Sequence, residues 1–390
     1  MARRSATLRG HAVALVGFMQ LGLGAALHAQ AAGGGLPPGK WPVGFTRFTA
    51  ADSTRALESG QPRLLDVGVW YPARTTSRAR LTYREYFLDT PPHRTTLPSE
   101  DTVQREYDDL IALFRSREAP DSVVQHWLRA PMLATVDAPL SGGRFPLVLV
   151  AQGNAQTVHD QAPLAEYLAS HGYVVATMPS PMLITGPLSD EREVGARAKE
   201  QALDLDFVRR VLADRRDVLG QRMGVVGHSF GARAALLLAM LDPQVAAVVS
   251  LDGGIGTASG RASLEALPIY RAEAARAPIL HFYEELDAFM APDFGLLRSL
   301  TAADRWLVAV PAMHHHHFTS LGAVSIEYPS LRGAIGATAA TALAYTAVAA
   351  ATCEFLDTFL KGDSLGPSHF RHQAAWPHLG RVEAIARQVH

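Results

Sequence analysis

Short apolar runs alternate with amphipathic stretches along most of the chain. Residues 146–151, 173–178, 223–226, 245–251, 278–283 and 306–310 are almost wholly apolar. Strands that read this way are covered on both faces, which predicts a mostly parallel sheet. Between them lie stretches with helical spacing, such as residues 162–170 and 201–214. The alternation predicts an α/β fold with helices on both faces of the sheet. An earlier β-rich run, residues 64–72, ends on Pro72 as a first strand would. Residues 78–131 break the rhythm, because Tyr107, Leu110, Ile111 and Phe114 recur at i, i+3, i+4 and i+7 and predict a helical insertion. A last helix is expected over about residues 339–360, stopping at Lys361-Gly362.

The amino terminus follows another pattern. Arg3, Arg4 and Arg9 precede an apolar run over residues 12–27, and small residues follow at Ala29 and Ala31. This is the order of a secretory signal peptide, with cleavage expected near Ala29 or Ala31. The run is about 16 residues and is interrupted by Gly17, Gln20, Gly22 and Gly24, short of the roughly 20 that span a bilayer. The expectation is export to the periplasm or the exterior, with no stable membrane insertion after cleavage. The expected plan is a signal peptide (1–31), a linker and N-terminal extension (32–60), one α/β domain (61–365) with its insertion at about 78–131, and a C-terminal tail (366–390).

Between the run 223–226 and the helical stretch after it lies Gly227-His228-Ser229-Phe230-Gly231. A G-x-S-x-G sequence in a strand-to-helix turn is a nucleophile elbow, in which glycines let strand and helix approach while the serine stands above the sheet. Ser229 is the expected nucleophile. Such a serine needs a base and an orienting carboxylate, in the chain order serine, acid, histidine. Asp252 follows the run 245–251 and Asp287 follows the run 278–283; both fit. The histidine is expected after the run 306–310, where His314, His315, His316 and His317 stand in a row. An oxyanion hole would take the Phe230 amide and, from the loop after residues 146–151, the Asn154 amide.

Composition narrows the alternatives. The 390 residues are 48% hydrophobic and 19% charged with a formal net charge of −1, which removes disorder and a phosphate-tracking surface from consideration, so no nucleic-acid partner is expected. The single cysteine, Cys353, allows no intrachain disulfide and no thiolate metal cluster. The 16 histidines raise a rival reading, a metal-binding protein or metallohydrolase using His314 to His317 with His281 or His159. Consecutive residues in one loop rarely present three ligands tetrahedrally and no HExxH helix is present, so neither a metal nor a cofactor is expected. A third reading is a hydrolase-fold binding protein without catalysis. Oligomeric state leaves no trace in the sequence.

With Gly227-His228-Ser229-Phe230-Gly231, Leu251-Asp252-Gly253 and a His-x-x-Phe at His315 to Phe318, the chain resembles the α/β-hydrolase superfamily. Within it, the likeness is to the platelet-activating factor acetylhydrolases and dienelactone-hydrolase-like serine esterases. Val69-Trp70-Tyr71-Pro72 and Phe359-Leu360-Lys361-Gly362 add to the resemblance. It implies Asp252 as the acid, His315 as the base, and hydrolysis of a small-molecule carboxylic ester through an acyl-enzyme. It also implies a helical cap from the insertion over the active edge, where Tyr83, Tyr86, Phe87, Phe114 and Trp127 would serve a substrate group or the insertion's own core. The family's His-Gly in the oxyanion loop is Gln152-Gly153 here, and the cysteine nucleophile of dienelactone hydrolases proper is a serine.

Overall fold

Each apolar run becomes a strand, and the strands lie side by side. The structure is a computed structural model that describes residues 35–56, 60–88, 100–182, 190–362, 370 and 376–388. The expected signal peptide lies outside the described residues. In chain order the strands are β1 (Val43–Ala56), β2 (Pro62–Pro72), β3 (Ala134–Val136), β4 (Phe145–Ala151), β5 (Val174–Thr177), β6 (Val218–His228), β7 (Val245–Leu251), β8 (Ile279–Tyr283), β9 (Arg305–Ala309) and β10 (Val382–Ile385). The helices are α1 (Tyr83–Leu88), α2 (Glu100–Ser116), α3 (Asp121–Arg129), α4 (Ala162–Ser170), α5 (Glu191–Leu212), α6 (Gly231–Leu241), α7 (Ala258–Glu265), α8 (Gly295–Ser299), α9 (Ser320–Glu327) and α10 (Ala339–Leu356).

The strands form one sheet in the order β10-β9-β8-β7-β6-β4-β5-β2-β1-β3. From β5 to β9 every pairing is parallel, while β2 joins β5, β1 joins β2 and β10 joins β9 antiparallel. From β4 the chain turns to β5 on one side and returns to β6 on the other, so β4 and β6 flank the point where strand order reverses. Ligands in such sheets bind outside the carboxyl ends at that point. Register brings those ends level, with Ala151 beside Gly227, His228 beside Leu251, Leu251 beside Phe282 and Tyr283 beside Ala309.

Two expectations change. Residues 43–56, expected within an N-terminal extension, form β1, which pairs with nearly the whole of β2. Residues 382–385, expected within a tail, form β10 on the edge of β9. Neither has the apolar run of a central strand, because each pairs near an edge and keeps one face toward water. Helix α10 is long and apolar enough to cross a membrane on length and composition, yet 61% of its apolar window is buried. Tyr345, Val348, Phe355 and Leu356 are among its buried residues.

The insertion folds as α1, α2 and α3, and its aromatic residues pack on one another. Tyr83 stacks on Trp127 at 4.8 Å and Phe114 meets Trp127 at 5.4 Å between ring centroids. A buried acid ties it to the domain. Glu166 of α4 accepts hydrogen bonds from the Tyr86 hydroxyl (2.6 Å) and from the amides of Leu133 (2.8 Å) and Ala134 (2.9 Å), and the Tyr86 hydroxyl accepts from Trp70 Nε1 (2.8 Å). Burial pushes the Glu166 carboxyl up to about 7 against these three donors. Glu166→Ala strands all of them in the interior, and a loss of about 3 kcal/mol or more is expected in urea unfolding. A loss under about 1 kcal/mol would show that the clamp holds nothing.

Candidate active site

The turn between β6 and α6 is as tight as its glycines suggest. Ser229 has φ of 54°, in the left-handed region, a strain that costs about 1–3 kcal/mol and persists only when neighbours enforce it. They do so through Ser229 N–H donating to Leu251 O (3.2 Å) and Gly254 N–H donating to Ser229 O (2.8 Å). A Cβ at Gly231 would lie 2.1 Å from the Ala151 carbonyl oxygen, and one at Gly227 would lie 2.6 Å from Ala232 backbone atoms. Any side chain at Gly231 would therefore push α6 off the end of β4. Phe230 is the N-cap of α6, so its N–H has no acceptor within the helix.

Around this serine the structure closes a circuit of hydrogen bonds. His315 Nε2 lies 2.8 Å from Ser229 Oγ, and His315 Nδ1 lies 2.5 Å from Asp252 Oδ2. The other Asp252 oxygen accepts from Glu284 N–H at 3.0 Å. The buried Glu284 carboxylate accepts from Asp287 N–H at 2.9 Å, and from Leu286 N–H. Asp287 Oδ2 then accepts from His315 N–H at 2.9 Å, which returns the path to the histidine. Asp287, the alternative acid, thus meets the backbone of His315 and, at 3.0 Å, the ring of His314, while the His315 ring meets Asp252. Burial pushes the Asp287 carboxyl up, but the His315 N–H and His314 together bring it below its ordinary value.

The other loop histidines acquire tasks. His317 Nδ1 accepts from His314 N–H at 3.0 Å and its Nε2 lies 2.7 Å from Ile335 O, so the ring is the neutral tautomer that donates from Nε2. His316 Nε2 donates to the same carbonyl at 2.8 Å. Burial lowers the His317 pKa to about 4. His281 is buried against Ser250 Oγ (2.9 Å), and His159 against Thr157 Oγ1 (2.7 Å) and the Phe87 ring. Among the described residues no three of His, Cys, Asp or Glu are grouped to hold a metal ion.

A cleft of about 420 Å³ opens over Ser229, bounded by Asn154, Phe230, Asp160, Arg233, Phe289, His315 and Thr319 among others. The Phe230 and Asn154 segments border the same space, as an oxyanion hole requires. No described residue of the insertion borders the cleft; Phe87 stacks on His159 at 3.5 Å, and the next residue, Asp160, forms cleft wall. Sequence reasoning passed over His228, Gln156 and Glu284. His228 is buried, stacks on the His315 ring at 4.8 Å and places Nδ1 3.0 Å from Gln156 Oε1. Its place inside the pentapeptide was the available signal. Burial holds its pKa well below the ordinary value, and the His315 ring adds to this.

Known proteins resemble parts of the chain. The profile of the Chlorophyllase family matches residues 119–271. Cutinase 2 of Thermobifida cellulosilytica is 30% identical over 147 residues, 36% of this chain and 53% of that one. Cutinase cut1 of Thermobifida fusca is 30% identical over the same length, 36% of this chain and 44% of its own. The match thus spans about half the length of these relatives. A ferulic acid esterase from Streptomyces cinnamoneus superposes with a TM-score of 0.64 at 21% identity, covering 88% of this chain and 97% of that one. The chain has the α/β-hydrolase fold.

The histidine loop yields a pH test. Between pH 6.5 and about 4 the unfolded chain protonates His317 and the folded chain does not, so stability is greatest above 6.5 and falls as pH drops. His317→Gln keeps an acceptor and a donor without titrating. The stability gap between wild type and variant should narrow by up to about 2 kcal/mol from pH 6.5 to pH 4.5 in urea unfolding. An unchanged gap would show that His317 is protonated in the folded protein.

Proposed function

We propose that the protein is a serine hydrolase of carboxylic esters, with Ser229 as nucleophile, His315 as base and Asp252 as the orienting acid. The observation that supports this most is the unbroken path Ser229 Oγ to His315 Nε2 (2.8 Å), then His315 Nδ1 to Asp252 Oδ2 (2.5 Å), at the floor of an open cleft. Ser229 Oγ attacks the ester carbonyl while His315 Nε2 takes its proton. Asp252 keeps the second ring proton on Nδ1 and stabilises the imidazolium. The tetrahedral oxygen sits between the amides of Phe230 and Asn154, where helix-end geometry favours negative charge. His315 returns the proton to the departing alcohol, and water repeats the sequence on the acyl-enzyme.

Relatives named as cutinases, a match to the Chlorophyllase profile and the fold of a ferulic acid esterase all favour ester chemistry. The likeness to platelet-activating factor acetylhydrolases rests on the motifs around Ser229, Asp252 and His315 and implies no phospholipid. The amino-terminal pattern adds export to the proposal.

Ser229→Ala should lower kcat/KM on p-nitrophenyl esters by about 10³-fold or more and abolish labelling by a fluorophosphonate probe. Asp252→Asn should cost about 10³- to 10⁴-fold, and Asp287→Asn, which retains an acceptor for the His315 amide, about tenfold or less. Turnover that survives Asp252→Asn and vanishes in Asp287→Asn would reverse the assignment of the acid. Full activity in Ser229→Ala would end the serine mechanism.

A further inference from the structure

Arg233 stands four residues after Ser229, in the first turn of α6, and is only 4% exposed. It borders the cleft that holds Ser229 and His315. Its hydrogen-bond partners are two hydroxyls at the long end of the range, Ser263 Oγ at 3.3 Å and Ser259 Oγ at 3.4 Å. Among the described residues no carboxylate forms an ion pair with it. Asp160, also on the cleft wall, instead accepts from Thr157 N–H at 2.8 Å and lies near His159.

Three costs meet at this side chain. A buried guanidinium with no carboxylate in direct contact is expensive, and Glu191 at the start of α5 offsets the charge only from a distance. A cation in the first turn of a helix opposes the helix dipole. Nη1 passes so close to Gly254 that a Cβ there would lie 2.0 Å away, so the backbone is shaped to let it through. Burial lowers the Arg233 pKa to about 10 against the opposing charge of Glu191, which still leaves it charged at neutral pH. One ligand relieves the first two costs together, an anion in the cleft beside the amino terminus of α6.

We propose that Arg233 binds a carboxylate carried by the substrate, so that the preferred esters are acidic ones such as half-esters of dicarboxylic acids. This rests on the proposed esterase reading for its kinetics, but not for its binding. Arg233 is here a specificity residue, and the proton transfers stay with Ser229 and His315.

The test compares monomethyl succinate, adipate and suberate with methyl esters of monocarboxylic acids of equal length, at pH 7.5 in a pH-stat. Wild type should favour at least one acidic member by about tenfold or more in kcat/KM, mainly through KM. In Arg233→Met that preference ratio should fall to about one, and in Arg233→Lys to an intermediate value. In parallel, calorimetric titration of adipate into Ser229→Ala should show binding that the Ser229→Ala/Arg233→Met double variant weakens by about tenfold or more. Two results would overturn the proposal: no preference above about twofold anywhere in the series, or a Met variant that slows both ester classes equally and melts lower, the mark of a purely structural arginine. If no ester is hydrolysed and no fluorophosphonate is bound while adipate binding still depends on Arg233, the esterase reading fails and the anion site stands.

Discussion

The active edge is organised by a loop of hydrogen bonds that begins and ends at His315. From the ring the path runs to the Asp252 carboxylate, through the Glu284 amide and carboxylate to the Asp287 amide, and from the Asp287 carboxylate back to the His315 amide. Each member is fixed by its neighbour, so the ring and its acid cannot drift apart without breaking a link elsewhere. Three acids are thereby held at the ends of β7 and β8, where mutual repulsion would otherwise scatter them. Backbone N–H groups occupy the space between them and keep every oxygen of interest aimed at a donor. The histidine is consequently positioned twice, through its ring and through its main chain.

That circuit can form only because the sheet delivers its ends at one height. Register aligns the last residues of β4, β6, β7, β8 and β9, and the glycines of the elbow let α6 start against the end of β4. The serine then emerges between the two strands where the chain reverses direction across the sheet. A single methyl group at residue 231 would have to displace a main-chain carbonyl.

Much of this was legible in the sequence, and the reason differs by residue. The central strands betrayed themselves as apolar runs because both of their faces are buried. Ser229 was readable because a strained turn demands glycine at both sides, and the order of serine, acid and histidine limited the rest. Between Asp252 and Asp287 the residues alone gave no decision, since both follow strands of the same edge and differ only in whether they meet the ring or the backbone of His315. The remaining loop histidines resisted explanation because their partner is a main-chain oxygen, that of Ile335, which no motif records. Helix α5 starts at Glu191, ahead of the expected residue 201, because its first turns are charged and carry a weak apolar pattern. For β1 and β10 the missing signal was the absence of a continuous apolar run.

Among the described residues the sheet finishes in three paired residues at β3 and in four at β10. A long free border presents a ladder of amides and carbonyls to any other extended chain, and β3 covers only Val43–Phe45 of β1, so among the described residues the rest of β1 has no strand on its outer side. Six mutually parallel strands, the part of the sheet slowest to assemble, are shut in on both sides by antiparallel neighbours. The place where another extended chain can add to this sheet is accordingly set by β1 and β3 on one border and by β10 on the other, not by the cleft that holds Ser229 and His315.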